Sequence, residues 1–236
     1  MGGQSINAIL ANPTLHQLPY QIMTGQSNGN IDFQNAARHF LSKGVQSNAT
    51  LQFNNGDTEH KIQIGIRVHA DQADRLATRS TYTMTNGTMI QTMAGINGNQ
   101  ENQIRNANSV ATYISYDWRY KGLTVSPGMR YEHIQFDFQN FGLTDYGRLG
   151  TNLRSATNQM SILLPGIGIN YAFKKGSDVF LGIHKGFSPP GMPSVSSTSG
   201  QAKVETAINY ELGYRYNDAA VQFQTVAFLN DNSNIL

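Results

Sequence analysis

The chain has 236 residues, of which only 14% are charged, and its formal net charge is +2. So small a charge provides no strong field for collecting nucleic acid, and we expect no nucleic-acid partner. The absence of cysteine excludes disulfide bonds and thiolate metal sites within this sequence, and it is compatible with an oxidising compartment.

The first 43 residues contain one set of apolar residues at helical spacing. The set consists of Phe33, Ala36, Ala37, Phe40 and Leu41. Asn30 or Asp32 could cap the start of such a helix, and Gly44 could end it. The spacing predicts a short helix inside an otherwise irregular segment.

From Gly44 onward, apolar and polar residues alternate with a period of two, which is typical of strands with two different faces. In the second such segment, for example, Ile64 and Ile66 fall on one face, and Gln63 and Arg67 fall on the other. We count eight predicted strands: 44–53, 61–70, 110–119, 123–132, 165–173, 179–183, 208–216 and 221–229.

The connections between these strands alternate in length. Short turns are predicted at 54–58, 120–122, 174–178 and 217–219. Long polar loops are predicted at 71–107, 135–158 and 188–203. Bacterial outer-membrane barrels have short periplasmic turns and long extracellular loops, and a crossing strand needs roughly nine to eleven residues. The pattern therefore predicts an all-β, transmembrane antiparallel β-barrel segment over 44–236, with 1–43 as an extracellular loop that carries the short helix.

Two other classes of protein are compatible with the same alternation. In a soluble β-domain, such as an adhesin, the apolar face would be a packed core. An outer-membrane barrel enzyme would share the same pattern of strands and connections, but the sequence gives little sign of a catalytic site. Ser188 is followed by Pro189, which lacks the backbone N–H that an oxyanion hole needs, and no two histidines stand four apart with a carboxylate. We expect no catalytic residue, resident metal or cofactor.

Five stretches resemble the TonB-dependent outer-membrane receptors, and most closely their iron(III) dicitrate branch. They are IGIRVHAD (64–71) followed by TYTMTNG (81–87), VSPGMRYE (125–132), LPGIGINY (164–171), HKGFSPPG (184–191), and NYELGYRY (209–216) followed by FLND (228–231). The similarity covers nearly everything from Gly44 onward, in the family's order and spacing.

The resemblance implies a monomeric barrel of about 22 strands in the outer membrane of a Gram-negative bacterium. It also implies uptake of a ferric chelate, with iron(III) dicitrate as the chelate of this branch, powered by the TonB complex through an N-terminal plug. No plug and no aromatic-ended final strand are visible, so we expect a part of a larger receptor. Uptake of another siderophore, or of another metal complex such as a nickel chelate, is the alternative within the family.

Cationic side chains are the natural contacts for an anionic ferric chelate, because arginine pairs with carboxylates in two-point geometry. By face and height, Arg67 and His69 should point inward near the extracellular end of their strand. Arg75 and Arg79 continue into the loop above, and Arg105 lies at its far end. We predict these five residues as the chelate site.

The alternative for each cation is an ion pair with a nearby carboxylate, such as Asp71 or Asp74, since polar barrel interiors contain many such pairs. Arg119 and Arg215 lie near the predicted periplasmic turns, and Arg130 shares a face with an acidic neighbour. We predict a structural role for these three arginines.

Overall fold

The computed structural model of the protein describes residues 5–191 and 204–233. Two short helices precede ten strands: α1 (Ile6–Ala11), α2 (Gln17–Met23), β1 (Gly29–Asn35), β2 (Arg38–Asn55), β3 (Thr58–Thr85), β4 (Thr88–Met93), β5 (Glu101–Tyr120), β6 (Leu123–Asn140), β7 (Arg154–Lys174), β8 (Ser177–Ser188), β9 (Glu205–Asn217) and β10 (Gln222–Ser233). No helix in this part of the chain is both long and apolar enough to cross a membrane.

The strands form one sheet with the order β1-β3-β5-β6-β7-β8-β9-β10. Strands β2 and β4 also pair with β3, so the long β3 has more than one partner along its length. The β7–β8, β8–β9 and β9–β10 pairs are all antiparallel hairpin neighbours. The predicted all-β, antiparallel class is therefore confirmed.

The chain divides into two compact units. Unit 1 comprises 1–40, 73–104 and 139–155, and unit 2 comprises 41–72, 105–138 and 156–236. Unit 1 contains both helices, β1, β4 and the first three residues of β2, while unit 2 contains the rest of β2 together with β8, β9 and β10.

All eight predicted strands exist, as β2, β3 and β5–β10, and all four short turns lie where they were predicted. At three of these turns a residue has a positive φ, namely Gly56 (59°), Lys121 (52°) and Gly176 (75°). A Cβ on Gly176 would lie 2.1 Å from the carbonyl oxygen of Asn217, so this turn also needs glycine for space.

The predicted helix around 33–41 is wrong. Residues Gly29–Asn35 form β1, which pairs antiparallel with β3 so that Phe33 lies opposite Ser80. The Phe33 ring also makes an edge-on contact with Tyr82, with centroids 5.2 Å apart. Helical spacing of apolar residues is only a weak signal for a helix, and the backbone pairing of β1 with β3 outweighs it here. The helices lie earlier, and Ser5 caps the first by accepting from the amide of Ala8 at 3.2 Å.

The predicted long loops are shorter than expected, because strands extend into them. Strand β3 continues to Thr85, turns tightly at Asn86 and Gly87, and returns as β4. Likewise β6 reaches Asn140, and β7 begins at Arg154. Most of the predicted loop 188–203 lies outside the described residues.

The period-two pattern does not reveal these strand extensions, because the apolar residues change from one face of the sheet to the other partway along β6 and β7. Up to Tyr131, the apolar residues of β6 occupy one face, as predicted. Beyond it they occupy the other face, where Phe136 is only 8% exposed. The resulting apolar cluster consists of Phe136, Met160 and Ile162, with Ala107, Ile134, Leu164, Phe187 and Val204 packed against it.

Candidate functional site

The polar face of unit 2 carries a connected cluster on β2 and β3. The Nη2 of Arg67 lies 3.3 Å from Nδ1 of His69, and Nε2 of His69 lies 3.0 Å from Oδ1 of Asp71. The hydroxyl of Ser42 lies 3.2 Å from the same Nε2. Residues 67, 69 and 71 share a face because successive side chains of a strand alternate. We call these four residues the Arg67 cluster.

The partners of His69 determine its tautomer. A guanidinium can only donate, so Nδ1 of His69 must accept from Arg67. The proton of the neutral ring then resides on Nε2, which donates to Asp71. With that proton in place, Nε2 cannot accept a proton from Ser42. The Ser42–His69 contact is consequently not an activated nucleophile pair, and this geometry does not support hydrolysis.

Asp71 is held in its charged form. The Ser42 hydroxyl and then His69 donate hydrogen bonds to this carboxylate and, with the nearby positive charge of Arg67, hold the pKa of Asp71 below its usual range. Gly44 lets the cluster form, because a Cβ at that position would lie 2.8 Å from Nδ1 of His69. Nδ1 of the histidine ring thus lies close to the backbone of β2 at Gly44.

Arg67 differs from the other predicted arginines in its partners. Within residues 5–191 and 204–233, it makes a hydrogen bond to His69 but no salt bridge to a carboxylate. Together with Ser42, Lys43 and His69, it lines an open depression of about 390 Å³. This depression has the positive charge and the accessibility that an anion requires.

The remaining predicted site residues have partners of their own. In unit 1, Arg75 forms an ion pair with Glu101 at 2.9 Å, and Arg79 forms one with Asp32. In unit 2, the guanidinium of Arg105 lies over the ring of Phe138, 5.4 Å from its centroid. The ion-pair alternative thus describes Arg75 and Arg79, although the carboxylates differ from those named from the sequence. Of the five predicted residues, the described contacts join only Arg67 and His69 directly.

Asp74, offered as a partner for those arginines, instead belongs to a network in unit 1 that sequence reasoning missed. Arg148 donates to both oxygens of Asp74, at 2.9 and 2.6 Å, and its Nε donates to Asn102 at 2.8 Å. Asn102 is fully buried, and its side-chain amide donates to the backbone oxygen of Asp145 at 2.8 Å. We call Asp74, Asn102, Asp145 and Arg148 the loop anchor, since two of them lie in the 141–153 connection.

The three arginines predicted to be structural all contact carboxylates. Arg119 lies 3.8 Å from both Glu59 and Asp117, and Arg130 pairs with Glu132. Arg215 lies 3.8 Å from Asp178, and its guanidinium also covers the ring of Phe180 at 4.2 Å. These contacts agree with the structural interpretation.

Comparison with known proteins adds a family and a fold. Residues 7–236 match the family model described as TonB dependent receptor-like, beta-barrel. The ferric citrate transporter FecA in its unliganded form superimposes with a TM-score of 0.66 and 19% identity, over 86% of this chain and 29% of FecA.

Two further solved structures share the fold. The closed form of the ferric-catecholate import receptor Fiu from Escherichia coli K12 gives a TM-score of 0.60 at 14% identity, covering 83% of this chain and 31% of Fiu. The siderophore receptor PiuA from Acinetobacter baumannii gives 0.57 at 11% identity, covering 81% of this chain and 32% of PiuA. The chain thus spans about a third of the length of each of these structures or less.

Proposed function

Because the chain belongs to the TonB-dependent receptor β-barrel family, we propose that it forms part of the wall of an outer-membrane transporter for an anionic ferric chelate. Iron(III) dicitrate is the leading candidate for that chelate. The alternative is another siderophore or metal complex. Members of this family are transporters of the Gram-negative outer membrane, not enzymes, so the predicted absence of enzymatic activity is confirmed.

The observation that carries the proposal is the position of the Arg67 guanidinium and the contacts that it makes. Its guanidinium lies on the polar face of unit 2 with no carboxylate paired to it among the described residues. Iron(III) dicitrate presents carboxylates, for which arginine is the strongest side-chain partner. We therefore assign Arg67, with His69 beside it, as the first contact for the chelate. Arg75, Arg79 and Arg105 are secondary candidates, because binding there requires an existing contact to be exchanged.

The apolar face supports a position in lipid. Ile64 is 51% exposed and Leu212 59% exposed, and such residues repeat along the strands. A soluble adhesin would cover these side chains with a second layer, whereas hydrocarbon covers them without cost. Near the short turns, rings lie in contact, including Trp118 with Tyr120 and Phe173 with Tyr214. Aromatic rings at the ends of an apolar band suit a membrane interface.

The complete receptor would supply the remaining parts of the machinery. We propose that a plug connects it to the TonB complex, that the barrel is monomeric, and that residues 1–43 and unit 1 lie on the extracellular side. The chelate is the cargo, and the proposal includes no resident cofactor.

Binding of iron(III) dicitrate to the full-length receptor in detergent tests this proposal. Arg67→Gln should weaken binding by about tenfold or more, because one charge-assisted pair is lost. Arg119→Gln is the matched control, since it removes an arginine of the polar face near the turns. A ferric catecholate and a nickel chelate complete the panel. Tight binding of either one, without binding of the dicitrate, would replace the leading candidate with the alternative.

A further inference from the structure

The Arg67 cluster contains a proton-accepting atom in direct contact with the guanidinium of Arg67. Nδ1 of His69 accepts from Arg67 at 3.3 Å, so this lone pair is available only while the ring is neutral. A positively charged imidazolium would place an N–H at the position of that lone pair. The contact with Arg67 would then be repulsive.

Binding of a carboxylate changes which protonation state of His69 is favoured. A negative charge near both Arg67 and Nδ1 favours the imidazolium, because an opposite charge within a few ångströms stabilises the charged form. Both groups could then donate to the same anion, one from Nη2 and the other from Nδ1. The hydrogen bond from Nε2 to Asp71, at 3.0 Å, is retained and becomes an ion pair.

We propose that Arg67 and His69 together bind one carboxylate of the transported anion, and that His69 takes up a proton from solvent when that carboxylate binds. This inference rests on the proposed function, since it concerns the same ligand at the same residues. It adds that the site binds a carboxylate more tightly than a neutral hydrogen-bond acceptor, and that the affinity for this carboxylate rises as the pH falls.

The groups that surround His69 are compatible with this role. On its own strand, Arg67 and Asp71 are the charged neighbours. On β2, the ring contacts Ser42, which does not titrate in this range, and Lys43 lines the same depression.

The neighbour of His69 on β5 follows from two contacts. A Cβ on Gly65 would lie 2.2 Å from the ring of Tyr113, and Gln72 donates to Asn106 at 3.0 Å. These contacts place β3 and β5 antiparallel, with Ser109 beside His69. No titratable group of β5 therefore faces the ring, and Asp71 is the carboxylate that contacts it in the described part of the chain.

The test uses the full-length receptor in detergent and iron(III) dicitrate as the probe. Because the speciation of ferric citrate itself changes with pH, each measurement is the ratio of wild-type affinity to variant affinity in the same solution. The variant is His69→Asn, whose amide oxygen can accept from Arg67 but cannot be protonated. For the wild type relative to this variant, affinity should rise about fivefold or more between about pH 7.5 and about pH 5.5.

Calorimetry in two buffers of different ionisation enthalpy measures the proton directly. At about pH 6.5, the wild type should take up a substantial fraction of one proton per chelate bound, and His69→Asn should take up less. Folding of each variant is checked by the heat-dependent gel mobility of the barrel.

The possible outcomes separate the two proposals. If Arg67→Gln weakens binding but the ratio for His69→Asn is independent of pH, proton uptake by His69 is refuted and the proposed function stands. If neither variant changes the affinity at either pH, the Arg67 site is refuted and this inference falls with it.

Discussion

Arg148 forms a two-point ion pair with Asp74, and the two residues are 74 positions apart in the sequence. Arg148 has a φ of 53°, in the left-handed region that non-glycine residues rarely adopt. This left-handed residue lies in the 141–153 connection, and its side chain reaches Asp74 on β3. The buried Asn102 receives the Nε–H of the same guanidinium, which links β3, β5 and the connection within unit 1.

We predict that Arg148→Ala loosens the 141–153 connection. Loss of the two charge-assisted bonds to Asp74 should lower the local free energy of opening by about 1–3 kcal/mol. Hydrogen exchange at the amides of Leu149 and Gly150 reports this change. Arg154→Ala is the matched control, since Arg154 is exposed in the same unit. Unchanged exchange in Arg148→Ala would show that the ion pair does not anchor the connection.

A second prediction concerns pH and Asp145. The amides of Leu149 and Gly150 each donate to its carboxylate at 2.8 Å, and these bonds hold the pKa of Asp145 below its usual range. A lowered folded-state pKa means that the carboxylate stabilises the fold above the unfolded-state pKa of about 3.9. That stabilisation is lost as the pH falls through the folded-state value.

Asp145→Asn should therefore increase hydrogen exchange in 141–153 at neutral pH, after correction for intrinsic rates. The difference from the wild type should shrink as the pH falls below about 4. A difference that persists undiminished in strong acid would mean that the asparagine acts through its shape and not through the lost charge.

A third prediction concerns the glycines of the polar face. A Cβ on Gly213 would lie 2.1 Å from Cζ of Phe180, whereas a Cβ on Gly182 would come no closer than 3.8 Å to Glu211. Gly213→Ala should therefore displace the ring and its contact with Arg215, at a cost of about 1–3 kcal/mol.

Urea unfolding of the full receptor in detergent micelles measures this cost, and Gly182→Ala should be close to wild type. Adding Phe180→Ala to Gly213→Ala should restore part of the loss, because the ring is the atom group in conflict. Equal effects of the two single alanine substitutions would contradict the steric explanation.

A fourth prediction locates the outer edge of the lipid. Tyr131 and His133 both contact the hydroxyl of Ser161, at 3.2 and 2.8 Å, on the face that is apolar nearer the short turns. On the same face of β7, polar residues such as Gln159 lie farther from the short turns than Ser161 does. Apolar residues such as Ile167 lie closer to the short turns.

Because the chain has no cysteine, an introduced cysteine is the only thiol of this sequence that can be labelled. In the native membrane, Gln159→Cys should react quickly with a water-soluble maleimide, and Ile167→Cys should react about tenfold more slowly or not at all. Equal reactivity of the two positions would argue against a hydrocarbon boundary near Ser161.

Period-two patterning was sufficient to predict the strands of unit 2, because a strand with one apolar face has only one register that keeps that face apolar. It failed where the two faces exchange polarity. Phe136 and Phe138 occupy the face that is polar near Arg130, so the pattern predicts a loop from 135 onward although the strand continues to Asn140.

The partners of the charged residues were predictable only in part. Arg130 and Glu132 share a face two residues apart, so the sequence shows that pair directly. The pairing of Arg79 with Asp32 depends on β1 lying against β3, and β1 lies where a helix was predicted. Arg148 and Asp74 come together through a connection whose conformation has no periodic signal at all.

The alternation of residues alone therefore determined the strand class, the short turns and the faces of unit 2, since local spacing decides which side chains share a face. Only the tertiary structure decided which cations have partners. Ion pairing depends on distances of a few ångströms between separate strands, and small changes of register or loop path alter them. Arg67 and Arg75 look alike in the sequence, but of the two only Arg75 forms a salt bridge with a carboxylate among the described residues.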